Sequence, residues 1–101
     1  MRSIRFSAEA RSDLGSISAF AAESWGIERK KRYMDALQDR IAQIRRHPAL
    51  GPVREDFGSA IRSVICGAHV IFYRVRPSTI EVLRILHRRM DAGRYLDTLL
   101  C

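Results

Sequence analysis

The run Gly67-Ala68-His69-Val70-Ile71-Phe72-Tyr73-Arg74-Val75, followed by Val82-Leu83-Arg84-Ile85-Leu86-His87-Arg88-Arg89-Met90-Asp91, decides the architecture. Both stretches are rich in β-branched and aromatic residues, which suit a pleated, half-buried surface. Pro77-Ser78 separates them, and Gly67-Ala68 forms a tight turn after residues 60–66, where Ile61, Ser63 and Ile65 alternate with Arg62, Val64 and Cys66. The pattern predicts an antiparallel meander of three strands over 60–66, 69–76 and 79–87. Val70-Ile71-Phe72 and Ile85-Leu86 put neighbouring apolar residues on opposite faces, so the middle of the sheet must be covered on both sides.

Upstream of the meander the period changes. Ile4-Arg5-Phe6 is a short strand stopped by Ser7, whose hydroxyl can cap a following helix, with Glu9 near the helix's positive end. Ala10, Leu14, Ile17, Ala21 and Trp25 then recur at three- and four-residue steps, and Gly26 is a natural stop. A second stripe, Tyr33, Met34, Leu37, Ile41 and Ile44, begins almost at once, so the two helices form an antiparallel hairpin. His47-Pro48 ends the second helix, because proline disfavours helical geometry in the residue before it. Residues 48–59, with Gly51-Pro52 and Gly58, read as loop.

The expected fold class is therefore α+β: an N-terminal strand, a helical hairpin and a three-stranded meander in one sheet, then a short C-terminal helix or tail. A chain of 101 residues makes one domain, 1–101. The hairpin can cover only one face of the sheet. The other must be met by residues 92–100, by another chain, or by both, since large exposed apolar patches mark binding sites.

Composition narrows the function classes. A hydrophobic fraction of 47% allows a packed core and sets disorder aside. The net charge is +7, and every basic residue except Lys30 and Lys31 is arginine. Arginine's planar fork suits phosphate and carboxylate alike, so the charge favours an acidic partner without choosing between nucleic acid and protein. Cys66 and Cys101 lack metal or redox spacing and read as reduced thiols of a cytoplasmic protein. No apolar run reaches the roughly 18 residues of a membrane span. No cofactor or metal site is expected.

The ordered motifs resemble the ParE branch of the ParE/RelE toxin superfamily of bacterial toxin–antitoxin systems. The matching residues are Ile4-Arg5-Phe6-Ser7-Ala8-Glu9-Ala10 with Asp13-Leu14, Trp25-Gly26, His47-Pro48 with Gly51, Arg62, Gly67, Tyr73-Arg74-Val75, Leu83-Arg84-Ile85-Leu86-His87 and Met90-Asp91. The resemblance implies a non-enzymatic toxin that poisons DNA gyrase and is held inactive by a ParD-type ribbon-helix-helix antitoxin with an acidic tail. The implied assembly is a toxin–antitoxin hetero-oligomer that touches operator DNA only through the antitoxin, with no membrane partner.

Candidate site residues follow from charge and position. Arg62, Arg74, Arg76 and Arg84 lie on strands, where charge needs a partner, so one or more should meet Glu81 or acidic residues of another chain, and with Trp25 they are the candidate antitoxin contacts. His87, Arg88, Arg89 and Arg94 are the candidate target contacts. A second reading follows the ribonuclease branch of the superfamily: Glu55, Arg62, Arg74 and His87 as base, two clamps and acid for ribosome-dependent mRNA cleavage. In one such subgroup a tyrosine follows the histidine, and here Arg88 stands in its place. Against these roles, Trp25 and Tyr73 read as packing residues, His69 as an exposed structural one, and His87 as a strand-end residue bonded to nearby backbone.

Overall fold

The computed structural model describes residues 1–57 and 60–100, with the side chains of 97–100 left aside. The expected loop at Gly58 and Ser59 and the expected thiol at Cys101 lie outside the described residues. The elements run β1 (Ser3–Phe6), α1 (Ala8–Trp25), α2 (Ile27–Arg46), β2 (Arg62–Cys66), β3 (His69–Val75), β4 (Thr79–His87) and α3 (Ala92–Leu100), with a 3-10 turn at Glu55–Phe57. The α+β architecture is the expected one.

Each helix boundary has a local cause. Ser7 Oγ accepts the Ala10 amide at 2.9 Å and so satisfies one of the free donors at the start of α1. Gly26, at φ 86°, is the single residue between α1 and α2, a conformation that favours glycine and lets the chain reverse at once. The sheet order is β1-β4-β3-β2: β2–β3 and β3–β4 are antiparallel, and β1 lies parallel to β4. That parallel pairing joins the two ends of the chain and was not legible from the sequence.

The register of β3 on β4 shifts between Phe72, opposite Arg84, and Tyr73, opposite Val82, so Leu83 is an extra residue on β4. The two sheet faces carry separate cores. Ile71, Tyr73, Ile80, Val82 and Ile85 meet Leu37, Ile41 and Ile44 of α2 and Ala10 and Ile17 of α1. Phe72, Leu83 and Leu86 face the other way and join Ile61 and Leu96.

This second cluster decides among the covers that the sequence left open. The face not shielded by the hairpin is closed by the chain itself: Leu96 of α3 is fully buried, with Phe57, Ala92 and Tyr95 packed around the cluster. The chain's own C-terminal segment thus supplies the cover, because α3 directs an apolar stripe at the sheet. Residues 48–57 form the expected loop, broken by one 3-10 turn and tied to the sheet. Val53 bridges Arg62, the Arg54 amide bonds the Ile61 carbonyl, and the Ser63 amide bonds the Pro52 carbonyl, so this segment shields part of the outer edge of β2.

Candidate functional site

The basic end of the sheet is built where β4 stops and β3 begins. His69 and His87 stand opposite each other in the register, with ring centroids 5.4 Å apart and planes at 81°. Beyond His87 the chain turns tightly: the Arg88 amide bonds the Ala68 carbonyl and the Met90 amide bonds the His87 carbonyl, both at 2.9 Å. His87, Arg88 and Arg89 are exposed on this turn, and Arg94 is exposed on α3 just after it. Among the described residues, none of these three arginines has a salt bridge.

One assignment of the two histidine protons satisfies every hydrogen-bond contact around them. The Tyr33 hydroxyl lies 3.2 Å from the Cys66 carbonyl, 3.0 Å from the Ala68 amide and 2.6 Å from His69 Nδ1. A phenol donates one proton and accepts two, so all three contacts are satisfied together when Tyr33 donates to Cys66 and His69 Nδ1–H donates to Tyr33. His87 Nδ1, by contrast, accepts the Arg89 amide at 3.1 Å, which puts the proton of the neutral ring on Nε2. The pair therefore offers an acceptor, His69 Nε2, and a donor, His87 Nε2–H. Burial holds the His69 pKa below the usual histidine range; His87 pushes it the same way and Asp13 opposes. His69 is thus half-buried and networked, not the exposed residue expected. His87 does meet nearby backbone, as its structural reading anticipated.

Two cavities flank this pair. One, of about 270 Å³, has walls from Ile17, Phe20 and Trp25 and a polar end at His69 and His87. Phe20, Trp25, Tyr33, His69 and His87 follow one another in edge-on contacts from the end of α1 to the end of β4. The other cavity, of about 330 Å³, opens by the 3-10 turn and has Arg54, Phe57, Phe72 and Arg88 in its walls. Sequence reasoning missed Arg54, which pairs with Asp56 at 2.9 Å and lies over the Phe57 ring at 4.8 Å. Its signal was the close spacing of a cation, an acid and an aromatic ring at positions 54, 56 and 57.

The predicted site residues separate into groups. His87, Arg88 and Arg89 come together at the basic end, and Trp25 shares the apolar cavity with His87. Arg74 and Arg76 sit at the opposite end around Glu81: Arg76 Nε donates to Glu81 Oε1 at 2.6 Å, and Arg74 Nε lies 3.5 Å from the same oxygen, an ion-pair distance without hydrogen-bond geometry. Those contacts pull the Glu81 pKa below the ordinary carboxylate range, Arg76 foremost. Arg62 donates to the Gly51 carbonyl at 2.7 Å, and Arg84 is bound by Asp13. Tyr73 is fully buried, its hydroxyl donating to the Pro48 carbonyl at 2.7 Å and accepting the Gly51 amide at 2.9 Å.

The ribonuclease drawing is not assembled. Arg74 pairs with Glu81 and lies five residues along β3 from His69, the residue opposite His87, which is about 17 Å at about 3.3 Å per residue. One phosphate cannot touch both. Glu55, in the 3-10 turn, is exposed.

Three comparisons bear on this arrangement. Residues 4–92 match the family model described as the ParE toxin of the type II toxin–antitoxin system parDE. Toxin ParE1 of Caulobacter vibrioides is 35% identical over 96 residues, covering 95% of this chain and 99% of that protein. Among solved structures, a chain of the chromosomal ParDE TA system from P. aeruginosa superposes with a TM-score of 0.74 at 19% identity, covering 86% of this chain and 96% of that one. YafQ from E. coli, in a point-mutant form, superposes with a TM-score of 0.53 at 13% identity over 87% of this chain and 94% of its own. The two superpositions show a shared fold.

Proposed function

The chain belongs to the ParE toxin family of type II toxin–antitoxin systems, and from that premise we propose that it inhibits DNA gyrase without catalysing a reaction and is neutralised by a ParD-type ribbon-helix-helix antitoxin. Within this reading the target contact is the basic end of the sheet, His87, Arg88 and Arg89 with Arg94 beside them. Exposed arginines on and just after a tight turn carry charge outward at little desolvation penalty and so steer an encounter with an acidic or phosphate-bearing partner.

One observation supports protein binding over RNA cleavage: the charged groups that a four-residue ribonuclease site would need are held apart. Glu81 engages Arg74 and Arg76 at one end of the sheet while His87 stands at the other. A cationic clamp must sit at the same phosphate on which the acid acts.

Inducing the chain without an antitoxin discriminates the readings. A gyrase poison produces double-strand DNA breaks that a resistant gyrase abolishes, with mRNA intact. Ribosome-dependent mRNA cleavage with intact DNA would reverse the assignment. His87→Ala sharpens the result, since it abolishes an enzyme by orders of magnitude but only weakens a protein contact.

A further inference from the structure

We propose that the cavity beside Trp25 is an anchor pocket for an acidic partner segment, which seats there one aromatic side chain with a hydroxyl tip. The proposal rests on the antitoxin reading above, whose partner is the acidic chain concerned.

The sheet itself is not the seat. Its second face is closed by Leu96, which a partner would have to displace. Two of the most exposed large apolar side chains lie instead at the tip of the hairpin, where Phe20 is 62% and Ile27 76% exposed. Beside it, the cavity walled by Ile17, Phe20 and Trp25 measures about 270 Å³. That is below the roughly 300 Å³ at which small-molecule pockets begin, and it suits a single side chain.

The polar end specifies the tip. His69 Nε2 is an acceptor and His87 Nε2–H a donor, and among the described residues neither atom has a hydrogen-bond partner. One hydroxyl satisfies both, donating to the first and accepting from the second. A carboxylate could use only the donor, and a purely apolar ring would leave both unmade. A phenol offers the ring for the walls and the hydroxyl for the histidines, and amphipathic aromatics of this kind anchor interfaces.

Charge identifies the segment that carries the anchor. Arg88 and Arg89 border the neighbouring cavity with His87, and Arg29 lies over the Trp25 ring at 4.8 Å. These cations around an apolar slot favour an acidic chain on a surface of net charge +7.

Trp25 is the chain's one tryptophan and reports occupancy directly. The toxin is labelled with 5-fluorotryptophan and assembled with the antitoxin encoded in the adjoining reading frame. We expect a shifted fluorine resonance in the complex and at least tenfold weaker binding for Phe20→Ser, with circular dichroism checking its fold. Ser16 is exposed and also lines this cavity, so Ser16→Trp, which plugs it, should weaken binding equally and serves if Phe20→Ser does not fold. A complex that forms with an unmoved resonance and full affinity in both variants overturns the pocket and leaves the antitoxin reading standing. A resonance that moves with toxin concentration alone assigns the cavity to a second copy and overturns it, as does loss of toxicity with antitoxin affinity unchanged. No complex at all overturns both readings.

Discussion

Asp13 of α1 grips Arg84 of β4 through two hydrogen bonds of 2.7 and 2.8 Å, and the same carboxylate accepts the Ile85 amide at 2.9 Å. The relationship follows from the shortness of β1. Its pairing with β4 ends at Phe6 opposite Val82, which would leave the edge of β4 with unpaired backbone groups. α1 takes over where β1 stops: Ser7 Oγ donates to the Leu83 carbonyl at 2.7 Å, and Asp13 receives the Ile85 amide. One helix thus caps itself and finishes the strand beside it.

Asp13→Ala should therefore destabilise the protein by about 2 to 4 kcal/mol, since it strands both a guanidinium and a backbone amide with little access to water. Asp13→Asn keeps an acceptor for Ile85 and should lose about half as much. Urea midpoints of the two variants check the ordering; equal losses would mean that the Ile85 bond contributes nothing.

Tyr73 closes the segment after α2 onto the sheet. Tyr73→Phe removes a buried hydroxyl bonded on both sides and should cost about 1 to 3 kcal/mol, with faster hydrogen exchange at the Gly51 amide. Gly51→Ala should be worse, because a Cβ there would stand 2.4 Å from the Ser63 carbonyl oxygen.

Leu96→Ala should cost about 2 to 5 kcal/mol and increase binding of an apolar dye, because it opens the second core of the sheet. A loss below 0.5 kcal/mol, read from the thermal or urea transition, would mean that α3 does not belong to the folded unit.

His69 should make stability depend on pH. Its folded pKa lies below the unfolded value near 6.5, so below that value the unfolded chain binds more protons. The neutral ring's contribution is complete above about pH 6.5 and is lost as pH falls through the folded pKa. Tyr33, Cys66, His87 and Asp13 are titratable groups around it. Urea midpoints from pH 7.5 to 5 should fall less steeply for His69→Gln than for the parent chain.

The sequence by itself determined the elements and their buried faces. The stripe Leu37-Ile41-Ile44 is fully or nearly buried, Gly26 ends α1, and Ile71 and Phe72 do separate to opposite faces. These features are local: capping, φ preference and side-chain period act over a few residues, so the residues announce them. The matching of Ile4 to Ile80, the extra residue at Leu83, the grip of Asp13 on Arg84 and the Tyr33–His69–His87 array were decided only in the tertiary structure. Each joins residues distant along the chain, and a short polar side chain carries no mark of the partner it meets. Charge on the strands showed the same divide: the pattern said that Arg62, Arg74, Arg76 and Arg84 need company and offered Glu81, which Arg74 and Arg76 do meet, but only packing chose Gly51 for Arg62 and Asp13 for Arg84.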